Sequence, residues 1–246
     1  MIDVFYVLGT GSKWSNNEIR YSLRSLEKYG KNVKDVYIVG NKPYFISNKI
    51  KYIEAFDIGY PSVNHWHKVR KFFKTTGIDK GLYMMDDIFF TKEVDLENYP
   101  YYQRGDLHNI EKNETNTYYI SLNNTRKVLL DDNKPIKNFE IHCPIIYEKD
   151  KFLKLDDKFR ELKKQYRQFV GVRSYYCNNY NITGELTNDV KIRSKHMPRF
   201  NEIVNSFNCF SISDDVITMG VEDYLKKEFP NPSRYEKTSQ KWEVFI

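Results

Sequence analysis

The chain has 246 residues, 40% of them hydrophobic and 16% aromatic, which is enough apolar surface for a sizeable core and excludes a disordered polymer. A formal charge of +6 permits an anionic substrate without demanding one, and Cys143, Cys177 and Cys209 are too scattered for a disulfide framework or a Cys-x-x-Cys zinc site. With no basic segment before the apolar run Ile2–Leu8 and no stretch of membrane-spanning length, we expect a chain with no membrane span that stays in the cytoplasm.

In chain order, Ile2–Leu8 reads as a buried strand that ends at the turn Gly9-Thr10-Gly11-Ser12. Asn17–Tyr29 follows as a helix with Ile19, Leu23, Leu26 and Tyr29 on one face, Asn16 or Asn17 as its cap and Gly30 as its stop. Strands are expected at 35–39 and 51–55, and the helix between the first two implies a right-handed crossover in a parallel sheet. A helix at 65–75 leads to a central strand at 81–85. Residues 97–140 are polar and turn-rich, with another strand inside 138–147. One amphipathic helix is expected next, with Phe152, Leu155, Phe159, Leu162, Tyr166 and Phe169 toward the core. A loop-like stretch then runs to a segment at 208–212, and a helix at 219–229 closes at Pro230 and Pro232. The pattern is a single α/β domain over 1–246, built on an open, mostly parallel sheet flanked by helices.

The sharpest chemical signal is Tyr83-Met84-Met85-Asp86-Asp87, two carboxylates at the end of an apolar strand. Ligands collect at the carboxyl ends of parallel strands. A divalent cation, Mn2+ or Mg2+, is a natural partner for hard oxygen ligands placed there; the plainer alternatives are an exposed strand-end turn, or a carboxylate pair that caps the next helix and binds Lys or Arg. Gly9, Thr10 and Gly11 let backbone approach a ligand. Arg20 and Arg24, four residues apart on the first helix, either reach a phosphate or form a solvated face with Glu27. Asn64 and Lys68 bracket the start of the second helix, where backbone N–H groups favour anions. His142 suits a late metal ligand, an acceptor contact or a structural role. Asp214 and Asp215 suit a general base or a helix cap. Arg173, beside Tyr175 and Tyr176, suits stacking against a sugar or base, or plain packing. Residues 149–173 carry nine Lys/Arg, Arg167 among them, against four Asp/Glu, and Lys191, Arg193, Lys195 and Arg199 form a second basic cluster. Three glycan-acceptor triplets, beginning at Asn113, Asn123 and Asn181, are read as accidents of an Asn-rich chain.

Several of these runs resemble a known family. Ile2-Asp3-Val4-Phe5-Tyr6-Val7, the helix from Asn16 to Tyr29 and the strand from Val33 to Val39 resemble the first conserved blocks of the Stealth sugar-phosphate transferases, and Tyr83 to Phe90 resembles the next. Phe210-Ser211-Ile212-Ser213-Asp214-Asp215 is similar to a late block. Met85 stands where that family has Asn, Gly9-Thr10-Gly11-Ser12 replaces its Asp-Gly-Ser, and the chain is short for the family. Glu140-Ile141-His142-Cys143-Pro144 and Pro232-Ser233-Arg234-Tyr235-Glu236 look like small bacteriophage glycosyltransferase-like proteins. The resemblance implies a GT-A-like sheet, with 1–95 binding a nucleotide sugar and 96–246 an acceptor. Read with the residues above, the expected site has a metal at Asp86 and Asp87 joined by His142, donor contacts from Gly9, Thr10, Gly11, Arg20, Arg24, Asn64, Lys68 and Arg173, and catalysis by Asp214 or Asp215. The implied reaction is transfer of a sugar to an acceptor hydroxyl, on a glycan or a modified phage DNA base, or else transfer of a sugar-1-phosphate. A non-catalytic nucleic-acid-binding module using the basic helix is the competing class.

Overall fold

A computed structural model of the chain describes residues 1–108, 116–166 and 168–237, so Asn113 and Arg167 lie outside the described residues. The first half runs β1 (Ile2–Leu8), α1 (Asn17–Tyr29), β2 (Gly30–Lys31), β3 (Val33–Gly40), β4 (Ile50–Glu54), α2 (Pro61–Thr76), β5 (Lys80–Met84), β6 (Ile88–Phe90), β7 (Val94–Asp95) and β8 (Tyr102–Gln103). The second runs α3 (Thr117–Asp131), β9 (Ile145–Glu148), α4 (Lys149–Lys154), α5 (Asp156–Gln165), α6 (Val172–Asn179), β10 (Glu185–Leu186), β11 (Lys191–Ile192), α7 (Phe200–Ser206), β12 (Cys209–Ile212) and α8 (Val221–Glu228).

The main sheet has the order β4-β3-β1-β5-β9, with the first four strands parallel and β9 antiparallel to β5. Alternation along β1 explains its continuous apolar run, because both faces are covered. Val4, Tyr6 and Leu8 pack with Ile19, Leu23 and Leu26 of α1. Phe5 points the other way, stacked on Phe72 of α2 at 4.1 Å, in a cluster that also takes Phe152, Phe159 and Tyr176. The expected α/β architecture is therefore observed. At Gly40, φ is +130° and a Cβ would sit 2.0 Å from the Leu8 carbonyl oxygen, so only glycine lets β3 end against β1.

A second sheet, β11-β12-β6, carries the late chain back to the front of the first. β6 follows directly from Asp86-Asp87 and pairs antiparallel with β12, Ser211 opposite Ile88, while β11 lies parallel on β12. That arrangement brings Lys191 and Ser211 to the end of β5.

Several expectations are corrected. The single helix expected at 152–169 is broken into α4 and α5 at Leu155 and leaves helical geometry at Tyr166. Asp156 and Asp157 favour a new helix start, and the Asp156 carboxylate accepts from Arg70 and Arg160. Phe152, Phe159, Leu162 and Phe169 are nonetheless buried as expected. The stretch 97–140 contains α3, whose buried positions are few and interrupted by Asn and Thr. α2 begins a turn early, with Pro61 in its first turn. Asn16 makes no side-chain cap to α1. Among the described residues no helix is long and apolar enough to cross a membrane.

Candidate functional site

β1 and β5 are hydrogen-bonded neighbours, so the loops leaving their carboxyl ends meet. Between them lies a cavity of about 380 Å³ lined by Gly9, Gly11 and Ser12 from the first loop, Glu18 from α1, Asp86 and Asp87 from the second, and Lys191, Ile212, Ser213 and Asp214 from the β11-β12 region. Both halves of the chain thus build one wall. Ser12 shapes the loop: its Oγ accepts from the backbone N–H of Asn16 at 2.7 Å and donates to Glu18 Oε2 at 2.8 Å. Glu18 is 5% exposed, a buried carboxylate at the cavity.

Asp87 is held from the second sheet, its Oδ2 accepting from Ser211 Oγ at 2.7 Å and Lys191 Nζ at 3.1 Å. Asp86 is held less well. Burial, then the charges of Asp87 and Glu18, push its carboxyl up to about 7. Four carboxylates line the cavity and Lys191 is the one cation among the lining residues, so the wall is short of positive charge. Among the described residues no three His, Cys, Asp or Glu side chains are grouped to hold an ion by themselves. Two hard carboxylates fit Mg2+ or Mn2+, ions that complete their shells with water and substrate phosphate.

The other expected residues divide clearly. Thr10 is exposed between the two lining glycines. Asp214 lines the cavity, with Lys13 3.4 Å away. Asp215 does not: it accepts a short hydrogen bond from Ser213 Oγ and one from the Ser194 backbone N–H, which pull its carboxyl down to about 2. That is the work of a turn cap.

His142 is not among the residues that line this cavity. Its Nδ1 lies 2.9 Å from Asp189 Oδ1, and its backbone N–H donates to the same oxygen. Burial opposes ionisation of Asp189, yet its hydrogen bonds with His142, with Arg104 beyond, hold it well below the usual carboxylate range. His142 is thus one half of an Asp–His pair.

Arg173, expected at the donor, is 4% exposed and donates through Nη1 to the carbonyl oxygens of Ile141 and Cys143 while lying 5.1 Å over the Tyr83 ring. It fixes the backbone on both sides of His142. Arg20 and Arg24 are not brought to the cavity either. Arg24 makes a two-pronged contact with Glu236 at 2.8 and 2.9 Å and reaches the Phe229 carbonyl, and Arg20 lies 3.7 Å from Glu236, so the two clamp the late chain onto α1. Asn64 accepts from the backbone N–H groups of Ile58 and Gly59. Lys68, 1% exposed, joins the Leu8 carbonyl to Asp57, both at 2.5 Å. These two support the loops rather than line the cavity.

Ser12, Glu18, Lys191, Ser211 and Asp189 were not singled out as site residues from the sequence. Lys191 was visible only as one member of a basic cluster, because its pairing with Asp87 depends on the β12-β6 contact. Neither a protein-family model nor a curated protein matches the chain.

Proposed function

We propose that the chain is a metal-dependent glycosyltransferase of GT-A-like architecture, which takes a sugar from a nucleotide-sugar donor and passes it to an acceptor hydroxyl. One observation carries this reading: a cavity at the carboxyl ends of two neighbouring parallel strands, where Asp86, Asp87 and Glu18 face a glycine turn with Lys191 as their cation. A divalent cation held by Asp86 and Asp87 supplies counter-charge to the diphosphate of the leaving nucleotide. Lys191, already at Asp87, is placed to share that charge. Gly9 and Gly11 admit the diphosphate close to the backbone. For the base that takes the acceptor's proton we propose Asp214, which lines the cavity, with Nε2 of His142, whose Nδ1 faces Asp189, as the alternative.

The same site serves transfer of a sugar-1-phosphate, and the nucleotide product separates the two, diphosphate for sugar transfer and monophosphate for sugar-phosphate transfer. The nucleic-acid-binding module draws less support. Within 149–173, Lys149 pairs with Asp79, Lys151 with Glu148 and Arg160 with Asp156, and Arg173 is buried. An acceptor on DNA would still make binding weaken steeply with salt, whereas a neutral glycan would not. The functional reading is tested by thermal shift with UDP-, GDP-, CDP- and ADP-sugars, each with and without Mn2+. Stabilisation by one nucleotide class that needs Mn2+ supports it; no response to any donor with Mn2+ refutes it.

A further inference from the structure

The segment after β4 exposes three large apolar side chains within five residues: Phe56 at 73%, Ile58 at 41% and Tyr60 at 40%. This is a firmly held loop. The Asp57 Oδ1 accepts from the buried Lys68 at 2.5 Å, and Asn64 accepts from the N–H groups of Ile58 and Gly59 and donates to the Gly59 carbonyl at 2.8 Å. A clustered apolar surface on such a loop marks a contact surface rather than a loose end.

Its place in the fold says what it contacts. The loop leaves the carboxyl end of β4, so it stands on the same edge of the sheet as Asp86 and Asp87, three strand spacings or about 14 Å away in the order β4-β3-β1-β5. It also abuts the cavity wall, because a Cβ on Gly9 would lie 3.3 Å from Asp57 Oδ2. A ligand that spans both regions carries a cation to the acidic β5 end, as the Mn2+ complex of a diphosphate does, and is flat and apolar at the β4 end. We propose that Phe56 and Tyr60 form the platform on which the base of a nucleoside diphosphate stacks, with its diphosphate running past Gly9 and Gly11 to Asp86, Asp87 and Lys191. Asp57 Oδ2, turned toward Gly9, is the acceptor for a ribose hydroxyl or a base N–H. The inference rests on the functional reading above and adds the subsite that selects a nucleotide over a bare phosphate.

Calorimetry in Mn2+ tests it with UDP, CDP, GDP, ADP and pyrophosphate on the wild type, Phe56→Ala, Tyr60→Ala and the double variant. Both side chains are exposed, so thermal melting is expected to be unchanged. Base stacking predicts that the best nucleoside diphosphate loses about tenfold or more in affinity in the double variant while pyrophosphate binding is unchanged. Undiminished nucleoside diphosphate affinity in the double variant, or an equal loss for pyrophosphate, overturns the platform while leaving the phosphate site standing. A wild type that binds neither ligand in Mn2+ refutes the phosphate site, and the platform with it.

Discussion

The chain contains two Asp-Asp pairs with identical covalent chemistry and opposite surroundings. Asp86-Asp87 ends a central strand, half-buried against a buried Glu18, and its first member is pushed up to about 7. Asp214-Asp215 opens a 3-10 turn on the surface, where hydrogen bonds from Ser213 and Ser194 pull Asp215 down to about 2. A dipeptide motif therefore carries no chemistry of its own. Depth and the number of donors aimed at each oxygen decide whether a carboxylate lacks a cation or is already satisfied.

The largest effect that should separate the pairs is on turnover. Asp87→Ala removes a proposed metal ligand and strands Lys191 and Ser211, and steady-state assays are expected to show a loss of at least about a hundredfold in kcat/KM, against no change for Asp215→Asn. Equal losses at both positions would erase the distinction. Next in size is the acceptor step. Asp214→Asn and His142→Gln should leave donor affinity intact by calorimetry, and whichever carries the base should lower kcat by about a hundredfold. Undiminished kcat in both variants removes both from the mechanism.

Smaller still are the effects on stability, and their signs differ between the pairs. Asp86 binds its proton more tightly folded than unfolded, so stability falls as pH rises from about 4 to about 7 and the penalty is complete above that. Chemical denaturation should find Asp86→Asn more stable than wild type at pH 8, by at most about 4 kcal/mol, and little changed at pH 4. Asp215 behaves in reverse: its depressed value gives stability that is present above the ordinary Asp range and lost as pH falls through about 2. Asp215→Asn should be slightly destabilised at neutral pH and show a reduced loss on acidification. A neutral-pH gain at Asp215 or a loss at Asp86 would reverse the assignment.

The strands of the main sheet, the first two helices and the position of Asp86-Asp87 were legible in the sequence, and short strands such as β6 and β11 were not, because each of the former rests on local periodicity: Ile2–Leu8, Asn17–Tyr29 and the run into Met84 announce themselves within a dozen residues. α3 was not, since only Leu122, Thr125, Val128 and Leu129 are buried along it. The packing reading of Arg173 holds, whereas Arg20 and Arg24, read as reaching a phosphate or forming a solvated face, are buried. All three engage groups distant in sequence, Glu236 for Arg20 and Arg24 and the carbonyls of Ile141 and Cys143 for Arg173. Lys191 escaped because its partner lies 104 residues away across the β6-β12 pairing.

The central claim is that Asp86 and Asp87 form a cation site for a diphosphate, and calorimetric titration with Mn2+ and the preferred nucleoside diphosphate tests it most directly. Wild type should bind the two ligands cooperatively and release a proton on binding near pH 6, with affinity rising until about pH 7 and levelling above it, as the Asp86 proton is displaced. Asp86→Ala and Asp87→Ala should each lose the Mn2+ dependence. Wild-type Mn2+ and nucleotide affinity in both variants, with no proton released, would contradict the account.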